Sequence, residues 1–155
     1  MEILLINGPN LNLLGNRENS IYGNDTLEDI EKNLSKICKD NGVSFASFQS
    51  NAEHEIVENI HASKKNNVSK ILINPGAFTH TSISIRDALI GVGIPFYEIH
   101  ISNIFAREEF RHKSYFSDIA EGVVCGMGTK GHEFALEKAI TVSYTHLTLP
   151  TSQYV

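Results

Sequence analysis

Residues 3–6 read Ile3-Leu4-Leu5-Ile6, and residues 7–12 read Asn7-Gly8-Pro9-Asn10-Leu11-Asn12. A short apolar run with no polar break is the pattern of a strand buried on both faces, as in a parallel sheet. The polar stretch that follows, from Asn7 to Asn24, is rich in Asn and Gly and long for a connection in so small a chain. Connections of that length are commonly functional or disordered. The same juxtaposition recurs twice. Ile71-Leu72-Ile73 runs into Asn74-Pro75-Gly76-Ala77-Phe78-Thr79-His80-Thr81-Ser82, and a strand over Phe96 to Ile101 leads through Glu98-Ile99-His100 into Ile101-Ser102-Asn103.

Between these runs the apolar period changes to that of a helix. One helix opens at Asp25 or Thr26, with Asp25 and Glu28 at capping-box spacing. Its inward stripe is Leu27, Ile30, Leu34, Ile37 and Cys38, and Gly42 is placed to end it. A strand over Val43 to Gln49 follows, then a helix from Glu53 to about Asn66 with Ile56, Val57 and Ile60 inward. A third helix carries Ile85, Ala88, Leu89 and Val92, ended by Gly93 and Pro95. Gly122 to Met127 reads as a fifth strand, and Lys130 to about Ile140 as a last helix. Strands alternating with helices imply a parallel sheet covered on both faces. The expected fold is a flavodoxin-like three-layer α/β/α sandwich with strand order 2-1-3-4-5, which makes strands 1, 3 and 4 neighbours. Residues 1–140 form the single expected domain. Residues 141–155 carry no charged side chain, are rich in Ser and Thr, and read as an atypical C-terminal tail outside the core. An edge strand, a disordered tail and a foreign sequence all remain open for them.

Composition bounds the function. The 155 residues are 41% hydrophobic and 20% charged, which favours a folded domain over disorder. The net charge of −5, without a basic run, argues against a nucleic-acid partner. No apolar stretch approaches the roughly 20 residues that span a bilayer, and the first residues lack the marks of a signal peptide. No membrane association and a cytoplasmic location are therefore expected. Cys38 and Cys125 lie in apolar periodic runs and read as small buried hydrophobes.

Ligands of parallel α/β sheets bind outside the carboxyl ends of the strands. Three adjacent polar strand ends are hard to explain by turn chemistry alone. The four arginines sharpen the inference: Arg17 lies in the long loop, Arg86 starts the third helix, and Arg107 and Arg111 follow the fourth strand. Arginine holds carboxylates bidentately where lysine cannot, so a carboxylate-bearing small substrate is the natural reading. Structural pairing with Glu18, Glu108 or Glu109 is the alternative. For Arg107 the two stand level; for Arg17 and Arg111 function is preferred. His80 and His100 sit at strand ends, and His100 suits a general acid. His80, His100 and Glu98 could instead be metal ligands, but there is no His-Glu-x-x-His and no cysteine pair, so no metal is expected. Tyr22 closes the long loop five residues after Arg17. A free tyrosine ionises near pH 10, and a neighbouring cation can lower that by roughly 1–3, so an Arg–Tyr pair can serve as a base. A tyrosine that merely anchors the loop is the alternative. Phosphate-binding Gly-rich motifs and the Gly-x-Ser-x-Gly elbow are absent.

The segments Ile6-Asn7-Gly8-Pro9-Asn10-Leu11-Asn12-Leu13-Leu14-Gly15, Arg17-Glu18, Tyr22-Gly23, Asn74 to Ser82, Glu98 to Asn103 and Ala106-Arg107-Glu108-Glu109-Phe110-Arg111 together resemble the type II 3-dehydroquinate dehydratase family. The likeness runs from residue 3 to about 140. It implies dehydration of 3-dehydroquinate to 3-dehydroshikimate through an enolate, with anti elimination, no cofactor and no metal, in the shikimate route to aromatic amino acids. It implies Tyr22 as the base, Arg17 as the group that lowers its pKa and stabilises the transition state, and His100 as the acid. Asn10 would help to hold a water. Asn74, His80, Ser102, Arg111 and the Ile101 backbone would bind substrate. Asp87 would reach the site of a neighbouring subunit, since the family forms trimers that assemble into a homododecamer. The family usually has Pro where this chain has Asn19. A non-catalytic flavodoxin-like anion-binding module, or another cofactor-free lyase or isomerase, is the rival reading.

Overall fold

In the computed structural model, which describes residues 1–148, five strands form one sheet. They are β1 (Glu2–Asn7), β2 (Ser44–Gln49), β3 (Lys70–Asn74), β4 (Phe96–His100) and β5 (Gly122–Cys125). All pair in parallel, in the order β2-β1-β3-β4-β5. The helices are α1 (Asn19–Tyr22), α2 (Leu27–Asp40), α3 (Glu53–Lys65), α4 (Ile83–Val92) and α5 (Gly131–Thr148).

Side chains alternate across each strand, and both faces are apolar, which is why the strands read as unbroken hydrophobic runs. Ile3 and Leu5 of β1, Leu72 of β3, and Tyr97 and Ile99 of β4 pack with Ile30, Leu34 and Cys38 of α2 and Ala135, Leu136 and Ala139 of α5. On the other face Leu4, Ile6, Ile71, Ile73 and Phe96 pack with Ile56 and Ile60 of α3 and Ile85, Ala88 and Leu89 of α4. This is the expected three-layer sandwich.

Register fixes the site. Asn7 pairs with both Gln49 and Asn74, and Ile73 pairs with Glu98. The carboxyl ends of β1, β3 and β4 therefore lie side by side, as anticipated.

Three local expectations need correction. The capping box of α2 is built by Thr26 and Asp29, not by Asp25 and Glu28. Asp25 instead accepts a hydrogen bond from Thr129 Oγ1 at 2.6 Å. The long stretch after β1 contains a 3-10 turn at Leu11–Leu13 and the short helix α1. The last helix runs to Thr148 and not to about Ile140, because no glycine or proline interrupts it before Pro150. The first part of the expected tail thus continues α5; residues 149–155 lie outside the described residues.

At the start of α5, His132 is fully buried. Its Nδ1 donates to the Thr129 carbonyl at 3.1 Å, and its Nε2 has no partner among the described residues. Burial drives its pKa down to about 4, against only a small upward pull from that hydrogen bond. The unfolded chain takes up a proton near pH 6.5 while the native state does not, so the stabilisation is complete above pH 6.5 and drains away as pH falls towards 4. We expect His132→Phe to flatten that limb by about 3 kcal/mol at 1.36 kcal/mol per pH unit. Urea unfolding at pH 7.5 and pH 4.5 measures it, and equal slopes for wild type and variant would contradict it.

Candidate active site

Two backbones meet where the first and third strands end. Gly8 N–H donates to the Asn74 carbonyl at 2.8 Å. A Cβ on Gly8 would stand 2.1 Å from the Pro75 carbonyl oxygen, so only glycine fits. Across the same contact Gly76 holds φ +59°, and a Cβ there would meet the Pro9 oxygen at 3.0 Å. The turns Gly8-Pro9 and Pro75-Gly76 interlock. The end of β2 braces this junction: Gln49 Nε2 donates to the Gly8 carbonyl at 3.1 Å, and Asn51 Oδ1 accepts from the Asn10 backbone at 3.0 Å. Asn10 is left-handed, with φ 69°, a conformation that asparagine tolerates. Neither Gln49 nor Asn51 stands out in the sequence, because the contacts that bring them to this junction span 41 residues.

Above the junction is a cavity of about 120 Å³. Asn10, Arg17, Tyr22, Asn74, His80, His100, Ile101, Ser102 and Arg111 all line it, and so does Arg107. Asp87 does not. It lies on α4 beside a separate surface hollow that includes His61 and Lys64.

Two guanidinium groups lie against the Tyr22 ring, Arg17 at 5.0 Å and Arg107 at 5.4 Å from its centre. The hydrogen bond to the phenol oxygen comes from Arg107, at 2.7 Å, and the same nitrogen donates to Ser102 Oγ at 3.3 Å. Arg17 is paired with the exposed Glu18, and Arg111 Nε with Glu108 at 2.5 Å. The weighing of the arginines thus shifts: Arg107, on which the sequence was evenly divided, is the one bonded to the tyrosine. Arg17 and Arg111 hold carboxylates of their own loops at partly exposed positions, where such pairs contribute little. The hydrogen bond from the neighbouring arginine, above all, holds the Glu18 and Glu108 carboxyls below the usual range.

His80 Nδ1 donates to the Lys113 carbonyl at 2.7 Å. A carbonyl can only accept, so this contact assigns the Nδ1 proton. Burial lowers the His80 pKa, only partly offset by that bond. The ring is therefore a neutral acceptor at Nε2.

His100 Nε2 is bonded to Glu98 Oε2, and Glu98 is completely buried. Burial alone would push the Glu98 carboxyl up. Hydrogen bonds from His100, Ser117 and Ser114 reverse this and hold it below the usual carboxylate range. The pair is thus a buried carboxylate bonded to a histidine ring, with the Glu98 charge favoured by its surrounding donors. Among the described residues no group of three or more His, Cys, Asp or Glu is arranged to hold a metal ion.

This geometry can be set beside known proteins. The sequence profile of Dehydroquinase class II matches residues 1–140. The chain belongs to the class II dehydroquinase family. It is 60% identical over 139 residues to the 3-dehydroquinate dehydratase of Alkalilimnicola ehrlichii, covering 90% of this chain and 91% of that protein. It is 63% identical over 140 residues to the corresponding protein of Buchnera aphidicola subsp. Cinara cedri, covering 90% and 92%. The crystal structure of the type II dehydroquinase from Butyrivibrio crossotus superposes with a TM-score of 0.88 at 44% identity, over 90% of this chain and 97% of that one. Every cavity residue named above lies within the part matched to the dehydroquinase family.

In this dehydroquinase Gly8→Ala forces Pro75 away and separates the two strand ends. We expect a loss of about 3 kcal/mol, the upper range for inserting one methyl into a packed site. Thermal unfolding checks it; an unchanged midpoint would show that the junction can yield.

Proposed function

We propose that the protein is a 3-dehydroquinate dehydratase, a hydro-lyase that converts 3-dehydroquinate to 3-dehydroshikimate in the shikimate pathway. One observation carries this reading beside the family membership. A single cavity presents a tyrosine hydroxyl bonded by a guanidinium and a histidine backed by a buried carboxylate.

Tyr22, as phenolate, takes the C2 proton. The C–H electron pair moves into the neighbouring C3 carbonyl and gives an enolate. The enolate then reforms the carbonyl, a C1–C2 double bond appears, and the C1 hydroxyl leaves with its electron pair. His100 protonates the departing hydroxyl, which leaves as water. A proton returned from Tyr22 to His100 through solvent restores both groups. Arg107 and Arg17 favour negative charge at the phenol oxygen and in the enolate. Asn10 would hold a water against the enolate.

Asn74, His80, Ile101, Ser102 and Arg111 would bind the substrate's carboxylate and hydroxyls. Arg111 can exchange the exposed Glu108 for a substrate carboxylate at little cost. Asp87 would complete the site of a neighbouring subunit in a trimer, with four trimers forming a homododecamer. Its place outside its own cavity, on a helix that exposes Ile83 and Ile90, supports that role. Residues 1–140 would be the catalytic domain. No helix among the described residues is long and apolar enough to cross a membrane, and both cysteines are free, which suits a cytoplasmic enzyme. No cofactor is required by the chemistry.

The test follows the ultraviolet absorbance of the conjugated enone formed from 3-dehydroquinate. Wild type turns over, and chelator leaves the rate unchanged. Tyr22→Phe and His100→Ala each lose about 10²–10⁴-fold in kcat while keeping the native circular dichroism spectrum. Near-normal turnover by Tyr22→Phe would overturn the assignment of the base.

A further inference from the structure

Glu98 uses its two oxygens differently. Oε2 faces His100, while Oε1 accepts from Ser117 Oγ at 2.7 Å and from Ser114 Oγ at 3.1 Å. Neither serine lines the cavity. Both come from the irregular segment between Arg111 and β5, which neither the strand-end pattern nor the family motifs had singled out.

That segment is held firmly. Phe116 is fully buried in the core against α3 and α4. Tyr115 N–H donates to the Thr79 carbonyl at 3.0 Å. Arg86 of α4 grips Asp118 with both terminal nitrogens, at 2.5 and 3.0 Å, and donates to the Tyr115 carbonyl at 2.7 Å. Ser114 Oγ also accepts from the N–H groups of Phe116 and Ser117, at 3.0 and 3.2 Å, so its own proton is directed to the carboxylate. The Ser117 hydroxyl bonds Glu98 alone among the described residues.

The consequence is a question of where one proton sits. Two hydroxyl donors on Oε1 favour the carboxylate, so the proton shared with His100 stays on Nε2. Nδ1 is then the ring nitrogen left for the cavity. A neutral ring with Nε2–H offers only a lone pair at Nδ1. Delivering a proton from Nδ1 therefore requires the imidazolium, and a buried imidazolium requires the neighbouring carboxylate. His80, from the turn after β3, interacts electrostatically with both members of the Glu98–His100 pair and with Arg111, from the segment after β4, while Arg17, Tyr22 and Arg107 share the cavity with His100. His80 is neutral, and Arg111 pairs with Glu108, so neither replaces the serines.

We propose that Ser117 and Ser114 are positioning residues of the dehydration, acting through Glu98 to keep His100 able to protonate the leaving hydroxyl. This rests on the dehydratase reading. The test compares Ser117→Ala and Ser117→Thr in the full chain, with Ser114→Ala as a second variant. Ser117→Ala is expected to lower kcat about ten- to a hundred-fold with KM within threefold of wild type, as for loss of one hydrogen bond to a charged group. Ser117→Thr, which keeps the hydroxyl, is expected to recover kcat to within a few-fold. In the unliganded protein the ¹⁵N shift of His100 Nε2 is expected to move from the protonated towards the unprotonated range in Ser117→Ala, and to return in Ser117→Thr. A Ser117→Ala kcat within threefold of wild type overturns the proposal. So does a threonine variant as slow as the alanine one, because packing alone would then account for the loss. Wild-type protein without dehydratase activity overturns the functional reading, and the nitrogen shifts, read without substrate, still decide the Ser–Glu–His coupling.

Discussion

The backbone of Gly8 lies so close to the Pro75 carbonyl that no side chain fits between them. Everything in the site hangs on that approach. β1 and β3 are already adjacent through their ladder, but a sheet ladder alone only sets their ends within reach. The interlocked turns convert adjacency into a fixed distance between two long polar segments. One brings Asn10, Arg17 and Tyr22; the other brings Asn74 and His80. The left-handed Asn10 and the donors of Gln49 belong to the same constraint, because a chain turned this sharply leaves backbone groups that need partners.

The second constraint is electrostatic. A carboxylate with no contact with water is expensive unless donors surround it. Glu98 has three: the His100 ring, Ser114 and Ser117. In the proposed reaction the same donors that make its burial tolerable would also keep the shared proton on His100. Stability and chemistry are therefore not separable there. At Tyr22 the arrangement is reversed: the polar atom is reachable from the cavity, and the charge that acts on it comes from Arg107, held by Ser102 at the end of β4. The proposed base and acid would thus each be adjusted by a neighbour that stays on the protein throughout.

Much of this was legible in the sequence, and the parts that were not share a cause. Strands buried on both faces and helices with one apolar stripe leave periodic marks, so the order 2-1-3-4-5 and the polar ends of β1, β3 and β4 could be read directly. Contacts between segments distant in sequence leave none. Ser114 and Ser117 look like ordinary loop serines until the fold lays them against Glu98. Arg107 sits among Glu108, Glu109 and Arg111, and only the position of Tyr22, 85 residues away, separates its role from theirs. Glu98 drew notice as a possible metal ligand because its residue type and place fit one; its burial and its serine donors identify it as the partner of His100. The displaced capping box of α2 is a smaller case. Asp25 and Thr26 are both good caps, and the bond from Thr129 that occupies Asp25 comes from the far end of the chain.

The layering accounts for how one edge of a sheet could supply the proposed acid and base to opposite sides of a substrate. Tyr22 packs against the layer formed by α2 and α5. Along β4 the side chains alternate, with Tyr97 and Ile99 on that layer and Phe96 on the other. Glu98 and His100 therefore fall on the side of α3 and α4, where Phe116 carries the serine-bearing segment. A substrate lying across the carboxyl edge would, in the proposed reaction, have the tyrosine on one side and the histidine on the other. An anti elimination needs that disposition, since the proton and the hydroxyl leave from opposite faces of the ring. A base and acid on successive turns of a single loop would both approach from one side. The parallel sheet, by alternating its residues between two covered faces, separates them as a consequence of strand geometry.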